Sequence, residues 1–378
     1  MLAKRISRIQ PSATLAMTAK AAELKAEGKD VLNMSVGEPD FPTPLNICQA
    51  AKKAIDNGHT RYTAGGGTLE IKKAASLKMA RDNNLHFDPK EILISCGGKH
   101  SLYNACQVLF QSGDEVIIFS PYWVSFPDFV SVTGAKPIFV NTNPNQQFEP
   151  DFNELKEKIS PKTKGIIINS PSNPTGGVWD DSAVLEVLEI AKSINAWVFS
   201  DECYEQLTYD APFQSIATFE KDYDKILTFQ SCSKTYAMTG WRIGYAAGNK
   251  KIIKAMGKLQ GQSTSCPNAI AQTAAIEALS GDQSHVKKMR KIFKKRRDFI
   301  VERLNNMPNV NCSNPGGAFY VFPDFHYYIH DNSPISSSND LSMYLLEKKS
   351  IASVSGDAFG GAGHIRFSYA ASDDDLVE

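Results

Sequence analysis

The stretch Ser231-Cys232-Ser233-Lys234-Thr235-Tyr236-Ala237-Met238-Thr239-Gly240-Trp241-Arg242 brings an amine, two serine hydroxyls and a guanidinium fork into one short segment. It follows the apolar run Ile226–Phe229, which reads as a buried strand. A lysine at a strand end is held rigidly and partly out of water. Its pKa falls and its amine becomes a nucleophile. Ser231, Ser233 and Arg242 offer the donors that a phosphate dianion needs. A second anion feature is Ser95-Cys96-Gly97-Gly98-Lys99-His100, between the run Ile92–Ser95 and a helix expected from Ser101. Two glycines there expose backbone N–H groups at a helix N-terminus, a natural phosphate site. In Asn169-Ser170-Pro171-Ser172-Asn173-Pro174-Thr175-Gly176, two prolines and a glycine make a stiff turn that aims one side chain.

Each of these segments starts where a short apolar run stops. From about residue 45 to 290 such runs alternate with helical patterns: Ile92–Ser95, Val116–Phe119, Pro137–Val140, Gly165–Asn169, Trp197–Ser200, Ile226–Phe229 and Ile243–Ala247. Nearly continuous apolar strands separated by helices predict an α/β fold with a mostly parallel, seven-stranded sheet covered on both faces. After residue 290 the pattern changes to a charged helix, the run Gly316–Phe322, a Ser-rich loop, a helix near Leu341–Lys348 and a strand at His364–Tyr369. This predicts a smaller α+β domain. The expected division is therefore a large domain over 45–290 and a small one built from 1–44 and 291–378. The N-terminal arm carries a helical pattern from Ser12 to Ala26 with Gly28 as its stop, then an extended segment fixed by Pro39, Pro42 and Pro44. Ser372 before Asp373, Asp374 and Asp375 reads as the cap of a terminal helix.

Composition removes several function classes. The 378 residues carry 41 basic and 41 acidic side chains, so no global field draws nucleic acid or an anionic membrane. The basic run Lys287–Arg297 has apolar residues at helical spacing and reads as an amphipathic helix with a solvated cationic face. Seven scattered cysteines without a C-x-x-C pair suggest reduced thiols in a cytoplasmic protein. His326 and His330 lack the H-E-x-x-H chemistry, and no metal is expected. No apolar run approaches the roughly 20 residues of a membrane span. The first twenty residues hold four basic groups and no acid; they read as an N-terminal arm, with organelle targeting as a lesser option.

The string from Ser231 to Tyr245 resembles the cofactor-attachment motif of the class I/II aminotransferases, which use pyridoxal 5′-phosphate (PLP) and have the fold called type I. It is closest to the bacterial-type aspartate aminotransferase branch. The similarity runs from Pro11-Ser12-Ala13-Thr14 to Ser368-Tyr369-Ala370. The resemblance implies a role for each matched position. Lys234 becomes the attachment lysine and general base. In Asp201-Glu202-Cys203-Tyr204, Asp201 pairs with the pyridine nitrogen and Tyr204 with the phenolic oxygen, which Asn173 also reaches. Gly97, Gly98, Lys99, Ser231, Ser233 and Arg242 hold the phosphate end. Trp123, in Pro121-Tyr122-Trp123-Val124-Ser125, stacks on the ring. Arg366 binds the substrate α-carboxylate, with Gly37 of the loop Ser35–Phe41 closing over it. Tyr62 reaches the phosphate of a neighbouring subunit, which implies a homodimer.

The implied reaction is ping-pong transfer of an amino group from an L-amino acid to a 2-oxo acid. Lys99, Trp123 and Asn173 also face the substrate in this branch. Aspartate and 2-oxoglutarate lead as the pair; aromatic, prephenate and kynurenine-type donors stay open. A C–S lyase or an aminocyclopropane-carboxylate synthase would share Lys234, Asp201 and Arg366. A PLP-binding sensor would need a DNA-binding domain, for which the match leaves no room. A nucleotide-binding dehydrogenase lacks its G-x-G-x-x-G after the first strand.

Overall fold

The computed structural model describes residues 2–11, 13–331 and 333–378. Its thirteen strands are β1 (Leu32–Asn33), β2 (Ile92–Ser95), β3 (Glu115–Ser120), β4 (Lys136–Asn143), β5 (Glu149–Pro150), β6 (Thr163–Asn169), β7 (Trp197–Asp201), β8 (Ile226–Ser231), β9 (Gly244–Ala247), β10 (Tyr320–Val321), β11 (Ile351–Ala352), β12 (Val354–Ser355) and β13 (Ile365–Ser368). All seven runs read as strands are strands of one sheet, in the order β2-β9-β8-β7-β6-β3-β4, with β5 as an eighth, two-residue edge strand. The neighbours from β8 to β4 pair in parallel. Only β9, which pairs antiparallel with both β2 and β8, and the short β5 run against the rest.

Alternation along the strands explains the two covered faces. In β2, Ile92 and Ile94 pack into a cluster with Ile71, Ala75, Met238 and Ala274. Leu93, on the other face, packs with Leu102, Phe199, Phe229 and Ile253. The helices that supply these residues are Leu69–Asn83 and Ala269–Ser280 on one side, and Gly98–Leu109 and Lys250–Ser263 on the other.

Register collects the motif segments at one edge. Asn169 pairs with Asp201, and Gly244 is the register partner of both Ser231 and Ser95. The carboxyl ends of β2, β6, β7 and β8 therefore share that edge with the start of β9, where open α/β sheets bind ligands. Backbone closeness there is extreme. A Cβ on Gly244 would lie 2.2 Å from the Gly98 nitrogen, so only glycine fits.

The two ends of the chain meet. β1 pairs in parallel with β11, and the antiparallel set β10-β13-β12 lies nearby. Met17, Ala21 and Leu24 of the helix Ala13–Ala26 pack on Leu346 and Ala352. Ser12, where the helical pattern was expected to begin, lies outside the described residues. Ser372 caps the terminal helix Asp373–Val377 in a capping box with Asp375, as its sequence implies.

The basic helix, Ser284–Asn305, departs from expectation on its polar side. Arg296 and Arg297 are buried. Arg296 bonds Asp40 at 2.8 Å and Asp373 at 2.8 Å, and Arg297 pairs with Asp210 and Asp298. Both guanidiniums act as ties between chain segments distant in sequence, while Lys287, Lys288, Lys291 and Lys295 face water.

Candidate active site

One cleft of about 360 Å³ opens at the shared sheet edge, and all but one of the sequence-singled residues line or border it. Gly37, Gly98, Lys99, Trp123, Asn173, Asp201, Tyr204, Ser231, Ser233, Lys234, Arg242 and Arg366 line it directly. A larger groove of about 710 Å³, near Trp179, Asp210 and Phe213, has no lysine or arginine among its lining residues.

Lys234 sits in the single helical turn Cys232–Thr235 that follows β8. Burial lowers its pKa, so the neutral amine is favoured, as its place at a strand end suggests. Its Nζ donates to the carbonyl of Gly37. Asp201, the last residue of β7, is 6% exposed. Its carboxylate accepts from the Cys203 N–H at 3.3 Å, and among the described residues no cation pairs with it. Burial, with a smaller push from neighbouring Glu202, drives its pKa up to about 7. An uncompensated carboxylate at the floor of a cleft calls for a cationic ligand atom.

That position has a measurable consequence. The folded pKa of about 7 lies above the ordinary 3.8. The folded, cofactor-free protein thus holds a proton that the unfolded chain has lost, and stability falls as pH rises from about 4 to about 7. The full effect is of the order of 4 kcal/mol. Denaturant melts of the cofactor-free protein at several pH values should show this decline in wild type relative to Asp201→Asn. Parallel curves for the two proteins would contradict the burial argument.

Arg366 comes from β13 and is 1% exposed. Its guanidinium donates to Asn173 Oδ1 at 2.9 Å and to the Ser35 carbonyl at 2.7 Å. It lies 4.5 Å from the Tyr320 ring centroid and 5.0 Å from that of Phe359. Its buried Nε has no partner. A permanently charged fork, stacked and aimed by two acceptors, is a receptor for a carboxylate. Asn173 is itself fixed, since its N–H donates to Asn169 Oδ1 at 2.9 Å while Asn169 Nδ2 bonds the Asp201 carbonyl at 3.1 Å. The Tyr204 and Tyr320 hydroxyls share a hydrogen bond of 2.9 Å. Burial raises the Tyr204 pKa well above its usual value, so the phenol stays protonated and can donate a hydrogen bond to an oxyanion.

The opposite end of the cleft is built for an anion. Ser231 Oγ donates to Ser233 Oγ at 2.9 Å and accepts from the Ser233 N–H at 3.1 Å. Gly98 and Lys99 begin the helix Gly98–Leu109, and their two leading N–H groups have no intrahelical acceptor, whereas those of His100 and Ser101 bond the Gly97 carbonyl. Gly97 is at φ +90°, and a Cβ there would lie 2.3 Å from an Arg242 terminal nitrogen. Gly97→Ala should thus push Arg242 out of place and lose a charge-assisted bond, weakening cofactor binding about 10- to 100-fold. Equilibrium titration of the cofactor-free variant checks this; unchanged affinity would remove Arg242 from the cradle. Lys99 Nζ lies 4.9 Å from the Trp123 ring centroid, and burial lowers its pKa.

Tyr62 is the exception. It is 90% exposed and belongs to a separate groove with Arg61, Cys266, Pro267 and Ile270. The sequence also left residues unassigned that line the cleft: Thr14, Leu15, Cys203, Gln230 and Tyr320. Tyr320 lay in plain view within Gly316–Phe322, a run that reads only as a strand. Gln230 closes the apolar run of β8, where only its position at the strand end hinted at a role.

The donor set fits PLP. A buried, unpaired carboxylate suits a protonated ring nitrogen, two serines, two glycines and an arginine suit a phosphate, and a buried amine stands between them. The comparisons agree. Residues 29–378 match the family Aminotransferase class I and II. The chain is 44% identical to the aspartate/prephenate aminotransferase of Cereibacter sphaeroides, covering 100% of this chain and 96% of the relative. It is 44% identical to the aspartate aminotransferase of Geobacillus stearothermophilus over 99% of this chain and 96% of the relative. Its fold superposes on the aspartate aminotransferase of Thermus thermophilus with maleate at a TM-score of 0.95, with 37% identity, covering 100% of this chain and 97% of that one. The chain therefore belongs to the class I and II aminotransferases and is a transaminase that works with pyridoxal 5′-phosphate.

Proposed function

We propose that this enzyme moves the amino group of L-aspartate to 2-oxoglutarate. The observation that carries the reading is the convergence on one cleft of Asp201 from the end of β7, Lys234 from the turn after neighbouring β8, and Arg366 from β13. When bound, PLP supplies an aldehyde for the amine and a ring that withdraws electrons from the substrate Cα. The chain's own residues do the rest. Asp201 would hold the ring nitrogen protonated. Asn173 and Tyr204 would bond the phenolic oxygen, and Trp123 would keep the ring flat. Gly97, Gly98, Lys99, Ser231, Ser233 and Arg242 would anchor the phosphate. Arg366 grips the α-carboxylate and so fixes the Cα–H bond towards Lys234. The Lys234 amine, its pKa lowered by burial, would take the Cα proton and return it to the carbon on the far side of the transferred nitrogen, two atoms away. Gly37 and the loop around it cover the substrate and exclude water.

The names of the relatives support aspartate as the donor. Lys99, a cation beside Trp123, is the candidate partner for its distal carboxylate. A second reading, in which prephenate is the acceptor, is favoured by relatives named for both substrates. We also propose a homodimer, in which exposed Tyr62 enters the cleft of a second copy. The proposed division into a large domain, 45–290, and a small one, 1–44 with 291–378, leaves the cleft between them. A cytoplasmic location accords with the absence of any described helix long and apolar enough to cross a membrane.

The test is an absorbance titration of the PLP-loaded enzyme. L-Aspartate should convert the aldehyde form of the cofactor to the amine form, and oxaloacetate should reverse it. Prephenate reversing the change more efficiently than 2-oxoglutarate would favour the second reading. A cofactor band indifferent to aspartate would send the search to aromatic donors and C–S lyase chemistry.

A further inference from the structure

Behind Asp201 lies a buried polar cluster that borders the cleft through Gln230 and that the transfer reaction as described does not use. Glu202 is 0% exposed. Its Oε1 accepts from Ser200 Oγ at 2.8 Å, Ser215 Oγ at 2.6 Å and the Ile216 N–H at 3.2 Å. Its Oε2 accepts from Gln230 Nε2 at 3.1 Å. Four donors converge on one carboxylate. Gln230 is in turn clamped from three sides: its Oε1 accepts from Lys78 Nζ and the Tyr245 hydroxyl, each at 2.9 Å, and its Nε2 also reaches Asn83 Oδ1 at 3.1 Å. Lys78, 1% exposed, completes the cluster with an ion pair to Glu205 at 2.5 Å and a bond to Asn83 Oδ1 at 2.9 Å.

Isolated buried lysines and glutamates are costly to a fold. Here one buried cation serves Glu205, and nothing in the cluster neutralises Glu202. Burial, with a smaller push from Glu205, raises the Glu202 pKa on balance, and the bonds from Ser215, Ser200 and Gln230 hold that rise back. The remaining titratable neighbours are poor candidates to share a negative charge. Burial holds the Tyr236 and Tyr245 phenols and the Cys203 and Cys232 thiols well above their usual pKa values, so all four stay neutral. The four converging donors make the ionised form of Glu202 the one the site is built to hold.

We propose that Glu202 is a positioning residue for Asp201: an ionised carboxylate, caged by Ser200, Ser215, Ile216 and Gln230 and anchored through Gln230 to the Lys78–Glu205 pair, whose charge strengthens Asp201 as proton holder for the cofactor's ring nitrogen. The inference rests on the assignment of Asp201 to that nitrogen. Asp201 and Glu202 are adjacent at the end of β7, so the charge of one raises the proton affinity of the other. The ring nitrogen and Asp201 share a proton as a coupled pair, and a fixed anion behind them keeps it there at higher pH.

The experiment reads the nitrogen itself. Enzyme loaded with PLP labelled with 15N in the ring is titrated by NMR through the alkaline range in wild type, Glu202→Gln and Asp201→Asn. Glutamine keeps the shape of Glu202 and removes its charge. Glu202→Gln should lose the ring proton at a pH lower by about one unit, with Glu202→Asp restoring much of the wild-type profile. Superimposable wild-type and Glu202→Gln profiles overturn the proposal. Asp201→Asn separates the two claims. If it leaves the nitrogen signal unchanged, Asp201 is not the partner and the underlying assignment fails first. Should Glu202→Gln not fold, 13C-carboxyl glutamate spectra of the wild-type holoenzyme decide the matter. Glu202 and Glu205 are the only buried glutamates among the described residues, so theirs are the signals shielded from a soluble paramagnet. The Glu202 signal, identified by its loss in Glu202→Asp, should show a carboxylate shift near neutral pH, and a protonated Glu202 signal overturns the proposal.

Discussion

Lys234→Ala should reduce kcat by at least about 1,000-fold, the upper part of what a positioned proton carrier contributes. The reasons are geometric. The amine emerges from a four-residue turn directly after β8, and its neighbours Cys232, Ser233 and Thr235 are buried, so no other basic side chain can swing into its place. Lys99 also lines the cleft, but its ammonium lies against Trp123. The variant should still take up PLP, because it leaves the proposed phosphate site of Ser231, Ser233, Arg242 and the glycine turn intact. Single-turnover kinetics with aspartate, read at the cofactor band, isolates the proton step from binding. Turnover at the wild-type rate would falsify the assignment of Lys234.

Arg366→Ala should cut kcat/KM for amino acids and oxo acids by about 100- to 1,000-fold, mostly through KM. The guanidinium is buried, stacked and bonded to two acceptors, so its loss also strands Asn173 Oδ1 and the Ser35 carbonyl. Arg366→Lys should recover only part of the loss, since an ammonium cannot present a planar fork. A control distinguishes carboxylate binding from general damage. An amine without an α-carboxylate should react about equally slowly with wild type and Arg366→Ala. If the variant impairs that amine as severely as it impairs aspartate, Arg366 is structural.

Much of this site could be read from the chain alone because its parts are local. Lys234, Asp201 and Asn173 each sit where a run of branched apolar residues ends, and such runs mark strands by burial on both faces. The seven long strands were legible for the same reason. Strands of two residues, such as β1, β5 and β11, have no side-chain period to detect, since their pairing is decided by tertiary contact. The same limit hid the polar cluster behind Asp201. Lys78 stands in a helix rich in lysine and arginine and reads as one more solvated charge; only the fold shows its partners 127 and 152 residues away. Arg296 and Arg297 were misread likewise. Helical spacing put them on the polar face, but apart from Asp298 on the same helix their acidic partners, Asp40, Asp210 and Asp373, come from three other segments. Tyr62 poses the converse case: its part in the chemistry rests on family likeness, and within one chain it touches none of the cleft.

The bond from Arg366 to the Ser35 carbonyl spans 331 positions. Its neighbour is the parallel pairing of β1 with β11. Protein synthesis proceeds at roughly 5–20 residues per second, so the segment around Ser35 waits tens of seconds after leaving the ribosome before its partner exists. During that interval the sheet from β2 to β9 can form, and with it the phosphate cradle. The carboxylate receptor cannot form until β13 emerges. A nascent chain should therefore gain the ability to capture cofactor before it can recognise an amino acid. The vitamin-derived ligand would then act as a template on which the last part of the polypeptide closes.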